Sequence, residues 1–282
     1  VDIWTEPFET ERCSRRRPIP SCALRGRQPH WFLTKEDEVR SVSRRELVSG
    51  IALGAVALSG AGGRAMASVD GGVVQGGVAP GKHPIVPLPF DPSKLKGLSE
   101  RLLRSHHENN YAGAVKNLNK VEEELARVNK DAPGFVVGGL KERELTFNNS
   151  MVLHELYFAN LGGDGKAGNA VQATLGRAFG SFGRFEELFR AVGMSLAGGS
   201  GWAVLDHDFQ TAQLGIHWSG NHTQGAAYSA PLLVMDMYEH AYAIDYGAAA
   251  AKYIDAFFQN VQWDEVQHRL ERAQKAGAAL RA

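Results

Sequence analysis

Apolar positions through the middle of the chain recur every three or four residues, and that period predicts helices. From Leu98 onward, Leu102, His106, Asn110, Ala114, Leu118, Val121 and Leu125 define one face. Glu122, Glu123, Glu124 and Arg127 fall outside it, as expected of a solvated side. A second helix is expected after the Gly138-Gly139 break. Its inner stripe is Met151, His154, Phe158 and Leu161, and Gly162-Gly163 closes it. Two long helices joined by a loop read as a helical hairpin. A third helix should run from Phe182 to Leu196, with Ser181 as its N-cap. Beyond Gly198-Gly-Ser-Gly201 the pattern turns to short strand-like runs, Trp202–Phe209, Gln213–Ser219 and Pro231–Asp236, which predict a small antiparallel sheet. A helical tail from Ala248 through Trp263 to Arg272 completes an α+β half, and no internal repeat interrupts the series.

The first 67 residues follow different rules. Residues 1–40 show neither period and are rich in Arg, Pro and Ser. Ser43-Arg44-Arg45-Glu46-Leu47 then precedes a mild Gly/Ala-rich apolar stretch from Val48 to Ala61, and Ala65-Met66-Ala67 has the small-x-small form of a cleavage site. Paired arginines, a weak apolar stretch and such a site resemble a twin-arginine export signal, so the chain is expected to be periplasmic or secreted. The apolar stretch is too short and too glycine-rich to span a bilayer, which leaves no membrane association once the signal is removed. We therefore divide the chain into a leader (1–67), a helical-hairpin domain (68–165) and an α/β domain (166–282). Gly71–Pro89 leads into the hairpin and Phe90-Asp-Pro-Ser93 forms a turn.

That division changes the meaning of the composition. The 282 residues are neutral overall, but 11 Lys+Arg against 8 Asp+Glu in residues 1–67 leave 20 against 23 beyond them, so +3 and −3. A slightly acidic body without a basic stripe argues against nucleic acid as a partner. Both cysteines, Cys13 and Cys22, fall in the leader, so the mature chain is expected to hold no disulfide and no cysteine metal site.

Chemistry concentrates at Asp236 and His240. A strongly apolar run ends on a carboxylate, and an imidazole follows four residues later, a spacing that can put both on one side of a turn. Burying a carboxylate there costs several kcal/mol, on the order of 3–5, unless something positive meets it. A metal ion suits mixed oxygen and imidazole donors of this kind, with Fe, Mn or Zn as candidates. His106 and His154 lie on the apolar stripes of the two hairpin helices. His107 points about 100° away from His106 and cannot share its face. Three imidazoles and one carboxylate are the expected ligand set: His106, His154, Asp236 and His240. Around a trivalent ion they leave a net charge of +2, and around a divalent ion +1. Bound solvent that gains a proton whenever the ion gains an electron keeps the total constant, so the set suits redox cycling of a small anion. His30, His83, His207, His217 and His268 sit in polar or irregular surroundings and are expected at the surface.

Five pieces of sequence carry a family resemblance. They are Val115-Lys-Asn-Leu-Asn119, His154-Glu-Leu-Tyr-Phe158, Ala178-Phe-Gly-Ser-Phe182, Gly198-Gly-Ser-Gly-Trp202 and Asp236-Met-Tyr-Glu-His-Ala-Tyr242. In this order, and over roughly Pro87 to Trp263, they resemble the iron/manganese superoxide dismutases. The resemblance implies an α+β fold: an N-terminal helical hairpin, then an α/β domain with a three-stranded antiparallel sheet. It also implies one Fe or Mn ion per subunit between the two, superoxide as substrate, and a homodimer or homotetramer. The implied ligands are the same four residues. Trp202 would form the aromatic wall beside the metal, Tyr157 would belong to the outer hydrogen-bond network, and His222 would donate to the metal-bound solvent. Glu239 would reach the ligand histidine of the neighbouring subunit.

This chain also departs from the family pattern. Ala114 stands where the gateway tyrosine belongs, Asn110 replaces a histidine one turn earlier, and Ala243 replaces that histidine's tyrosine partner across the dimer. Tyr238 replaces a tryptophan. A wider funnel and altered proton delivery are therefore expected, with Tyr111 a candidate stand-in for the gateway group. The competing readings are a non-catalytic metal-binding or interaction protein on the same scaffold and, more distantly, a zinc hydrolase. Retention of all four ligands and of His222 favours the enzyme.

Overall fold

The computed structural model describes residues 79–282. The expected leader, with Cys13, Cys22, His30, the arginine pair and the cleavage site, lies outside the described residues, as does the start of the leading segment up to residue 78.

The hairpin forms as expected, with an irregularity at its most important point. Helix α1 (Glu100–Ser105) is capped by Ser99, whose side chain accepts from the Leu102 N–H. It passes without a break into a π-helical turn, His106–Tyr111, and then into α2 (Ala112–Arg127). A π turn is wider than an α turn, closed by i→i+5 hydrogen bonds, so it shifts which later positions face inward. The buried residue above His106 is therefore Tyr111, while Asn110 is turned toward the surface. The expected stripe is corrected at that position and resumes with Ala114, Val115 and Leu118. The outer side is not wholly solvated either. Glu122 binds the leading segment through the Gly81 N–H and the His83 ring.

Helix α3 (Gly134–Ala159) begins well before the Gly138-Gly139 pair, so those glycines are interior positions and not a break. Each costs a helix about 1 kcal/mol. Both are open to solvent, and packing of α3 along α2 overrides the local preference.

Helix α4 (Asn169–Phe179) was not expected. It buries Val171 and Leu175, one turn apart, and ends at Gly180, whose φ of 90° suits glycine. Helix α5 (Phe182–Met194) starts, as expected, with the Ser181 side chain accepting from the Arg184 N–H.

The three strands, β1 (Trp202–Asp208), β2 (Leu214–Ser219) and β3 (Ser229–Asp236), pair antiparallel in the order β2-β1-β3. Central β1 is buried from Trp202 to His207, and its first four residues are apolar. Pro231 sits on edge strand β3 opposite the irregularity between Leu205 and Asp206, where a missing N–H costs no ladder bond. The register matters for the site: Trp202 faces Ser219 on one side and Asp236 on the other. Gly201, immediately before Trp202, has φ of 143°, and a Cβ there would fall on the Ser219 carbonyl oxygen. Only glycine lets the chain enter β1 at this angle.

After β3 come a 3₁₀ turn (Glu239–Ala241), α6 (Ala243–Tyr246), α7 (Ala250–Gln259) and α8 (Trp263–Arg281). The expected single helical tail is thus two longer helices broken at Asn260. Its buried side chain bonds the Lys96 backbone on both sides and the Ala256 carbonyl, pulling the chain out of helical geometry. Buried polar groups tie the layers together. Asn160, at the end of α3, accepts from the Val234 N–H, and Arg269 of α8 donates to the Leu156 and Leu232 carbonyls. The result is an α+β fold with one continuous core reaching from Leu102 and Leu118 through β1 and β3 to Phe257 and Leu270. Among the described residues no helix is long and apolar enough to cross a membrane.

Candidate metal centre

The four expected ligands meet. His106 comes from the π turn, His154 from α3, Asp236 from the last position of β3 and His240 from the 3₁₀ turn behind it. One nitrogen or oxygen of each lies within 4.8 Å of all the others. The convergence centres on Asp236 Oδ2, which is 3.0 Å from His106 Nε2, 3.2 Å from His240 Nε2 and 3.6 Å from His154 Nε2. Donors held about 2.1 Å from one ion at 90–120° to each other stand about 3.0–3.6 Å apart. The spacings fit a shared cation.

Two of the donors are aimed by neighbours outside the cluster. The His154 Nδ1–H donates to the Ser150 carbonyl at 2.6 Å, which leaves Nε2 as the bare lone pair facing the cluster. That Nε2 is buried and has no hydrogen-bond partner, as a ligand atom would be. Asp236 Oδ1 accepts from the Tyr238 N–H at 2.8 Å, so Oδ2 is the oxygen turned inward. The Tyr253 hydroxyl donates to the Asp236 carbonyl at 2.6 Å and stands 3.3 Å from the Tyr157 hydroxyl. Tyr253 is a neighbour of the cluster that the sequence did not reveal. It sits among apolar residues of α7 and carries no motif.

Electrostatics agree with neutral imidazoles. Burial, helped by the neighbouring His106, pushes the His154 ring down to about 3. Burial likewise lowers His106, against the pull of Asp236. For Asp236, burial would raise the carboxyl, but the facing His240 and His106 more than offset it and hold it well below the usual range. Neutral imidazole and ionised carboxylate are the forms that bind a cation.

The surroundings place the remaining expected residues. Trp202 is fully buried, with its ring 5.1 Å from His154, and its Nε1–H donates to His222 Nδ1 at 3.1 Å. A neutral His222 must then carry its proton on Nε2, as a donor. Its ring is 6.3 Å from His154 and stacks on Tyr238 at 4.7 Å, with 8° between the planes. Burial lowers His222 as well. Tyr157 is buried 5.2 Å from the His106 ring, and burial raises its phenol. Beside Trp202 and His222, a cavity of about 200 Å³ opens between the second half of α3, at Asn148–Leu153, and the sheet. Of the histidines expected at the surface, His268 is exposed, but His207 is buried under α8 against Gly277. His83 and His217 are partly covered and face Glu122 and Asp206. Strand pairing and helix docking cover these rings, which local polarity could not foretell.

Because His154 binds a proton near 6.5 when unfolded and only near 3 when folded, the unfolded chain holds more protons between those values. The metal-free protein should therefore be most stable above pH 6.5 and lose stability steadily as pH falls toward 3. Urea midpoints at pH 7.5 and 5 should show the drop, and a flatter profile is expected for His154→Gln.

Comparison with known proteins gives a consistent result. A family model described as iron/manganese superoxide dismutases, C-terminal domain, matches residues 167–269. The chain is 46% identical over 188 residues to the iron superoxide dismutase of Cupriavidus metallidurans, covering 66% of this chain and 95% of that protein. It is 35% identical over 211 residues to the iron superoxide dismutase of Aquifex pyrophilus, with 71% and 98% covered. A manganese superoxide dismutase of Haloferax volcanii is 36% identical over 197 residues, with 66% and 94% covered. The similarity spans nearly the full length of these relatives, and the chain accordingly belongs to the iron/manganese superoxide dismutase family.

Proposed function

We propose that this protein is a superoxide dismutase: two superoxide anions and two protons become one dioxygen and one hydrogen peroxide. One iron or manganese ion per subunit would be held by His106, His154, Asp236 and His240. The observation that carries this reading is the closure of four donor atoms around Asp236 Oδ2, with the His154 Nε2 lone pair otherwise unpartnered. When bound, the ion supplies the one-electron exchange. The chain's own residues do the rest. His222, oriented by Trp202, presents an Nε2–H donor beside the ligands. Tyr253 and Tyr157 brace the Asp236 end of β3, and Trp202 and Phe158 exclude bulk water around the imidazoles. Both iron and manganese enzymes occur among the relatives.

Purified protein should contain iron or manganese and remove superoxide in a stopped-flow assay. His154→Ala should lose the metal and at least about 10³-fold in activity, because the remaining ligand set is open and its buried carboxylate is left short of a partner. A fully active His154→Ala protein would sink the ligand assignment.

Assembly and location complete the proposal. Glu239 is exposed and adjacent to ligand His240, which supports a role in a homodimer or homotetramer, contacting the neighbouring subunit's metal centre. Sedimentation of Glu239→Ala should show more monomer than wild type, and an unchanged profile would count against this contact. The Arg44-Arg45 pair and the Ala65-Met66-Ala67 site support a leader of residues 1–67, twin-arginine export, and a periplasmic or secreted mature protein of domains 68–165 and 166–282. Fractionated cells should hold a shortened form outside the cytoplasm. Changing both arginines to lysine should trap the longer form inside, and continued export would refute the pathway.

A further inference from the structure

We propose that Tyr111 is a positioning residue of the metal centre, its hydroxyl stapling the π-helical turn that carries His106 to the turn of α3 that carries His154. The inference rests on the reading of those two histidines as ligands. The Tyr111 hydroxyl has one proton, and it donates that proton to Glu155 Oε1 at 2.8 Å. The Tyr111 hydroxyl oxygen in turn accepts from the Val86 N–H at 2.8 Å. No proton is left to donate to a substrate or a bound solvent, and the side chain is only 1% exposed. Tyr111 is thus not a free gateway group replacing the hydroxyl missing at Ala114.

Its position suggests a different role. Glu155 follows ligand His154 directly, so its side chain leaves α3 about 100° around the axis. A bond at Glu155 sets the rotation of α3 without touching the ligand ring. Tyr111 closes the same π turn that His106 opens. The Tyr111 ring is 6.4 Å from that of His154, so the staple lies at the level of the metal centre. From the same turn, His107 Nε2 lies 2.8 Å from the Val86 carbonyl oxygen. Both backbone groups of Val86 are therefore gripped by one turn, and the leading segment is locked across the hairpin. A π turn is a local irregularity that needs such outside support. Ligands must be held to within about 0.5 Å and 10–20° of their working geometry, and a hydrogen bond to a carboxylate is stiff enough to matter.

The test compares wild type with Tyr111→Phe, Glu155→Ala and Glu155→Gln, all as the full chain. Affinity for Fe(II) and Mn(II) is measured by chelator competition, and the ferric form by electron paramagnetic resonance. Tyr111→Phe and Glu155→Ala should each bind metal about tenfold or more weakly. Each should also alter the rhombicity of the ferric signal, which loss of stability alone would not do. Glu155→Gln keeps an acceptor for the phenol and should stay close to wild type in both readouts. Wild-type affinity and signal in Tyr111→Phe or in Glu155→Ala would overturn the proposal. So would a Glu155→Gln protein as impaired as Glu155→Ala, since charge and not the staple would then matter. If Tyr111→Phe does not fold, the two Glu155 variants decide alone. Failure of the wild type to bind either metal would overturn the ligand reading itself, before any variant is compared.

Discussion

The fully buried carboxylate of Asp236 is the constraint around which this structure is arranged. A charge at the end of an apolar strand is tolerable only if it is met by opposite charge and its remaining lone pairs are occupied. The surroundings meet the second condition, and a bound cation would meet the first. One oxygen is occupied by the Tyr238 N–H, and the other is turned toward three imidazole nitrogens. The strand that carries it is held by β1, whose register puts Trp202 opposite Asp236. The same indole then reaches His222, so one strand pairing sets the carboxylate, the indole beside it and the imidazole beyond it.

The four candidate donors come from four separate elements, and a set of ties remote from the donor atoms holds those elements together. Ser99, the cap of α1, donates through both its N–H and its hydroxyl to Asp245, which joins the start of the His106 helix to the segment after His240. Asn160 and Arg269 bind the end of α3 to β3 and α8. Tyr253 reaches from α7 to the Asp236 carbonyl. The Ser99 tie is exposed, whereas those of Asn160, Arg269 and Tyr253 are buried polar contacts with satisfied partners, the kind that specify one arrangement and not several. The departures of this chain from the family pattern fall within the same framework. Ala114 is buried on the inner face of α2, and Tyr238 stacks against both His222 and His240.

Much of this was legible in the sequence, for reasons that can be named. Helical and strand periods reflect which side chains leave water, so the hairpin, the three strands and the Ser181 cap follow from local order alone. The four residues that converge were legible because a carboxylate and histidines on apolar stripes are costly to bury without a cation. The i,i+4 spacing of Asp236 and His240 survives as adjacent donors, since one short turn connects them.

Tertiary packing decided what local order could not. The π turn at His106–Tyr111 exchanges Asn110 for Tyr111 on the buried face, because the gain comes from Glu155 and Val86, which are distant in sequence. Helix α3 runs through Gly138 and Gly139 because α2 lies along it, and the C-terminal helix breaks at Asn260 because Lys96 competes for that side chain. His207 is covered by a helix that arrives seventy residues later. Composition and period thus determined the elements and the candidate donors, which depend on neighbours a turn or two away. Which donors meet, which oxygen of Asp236 faces them and which tautomer each ring adopts depended on contacts between distant segments, and only the folded chain supplies those.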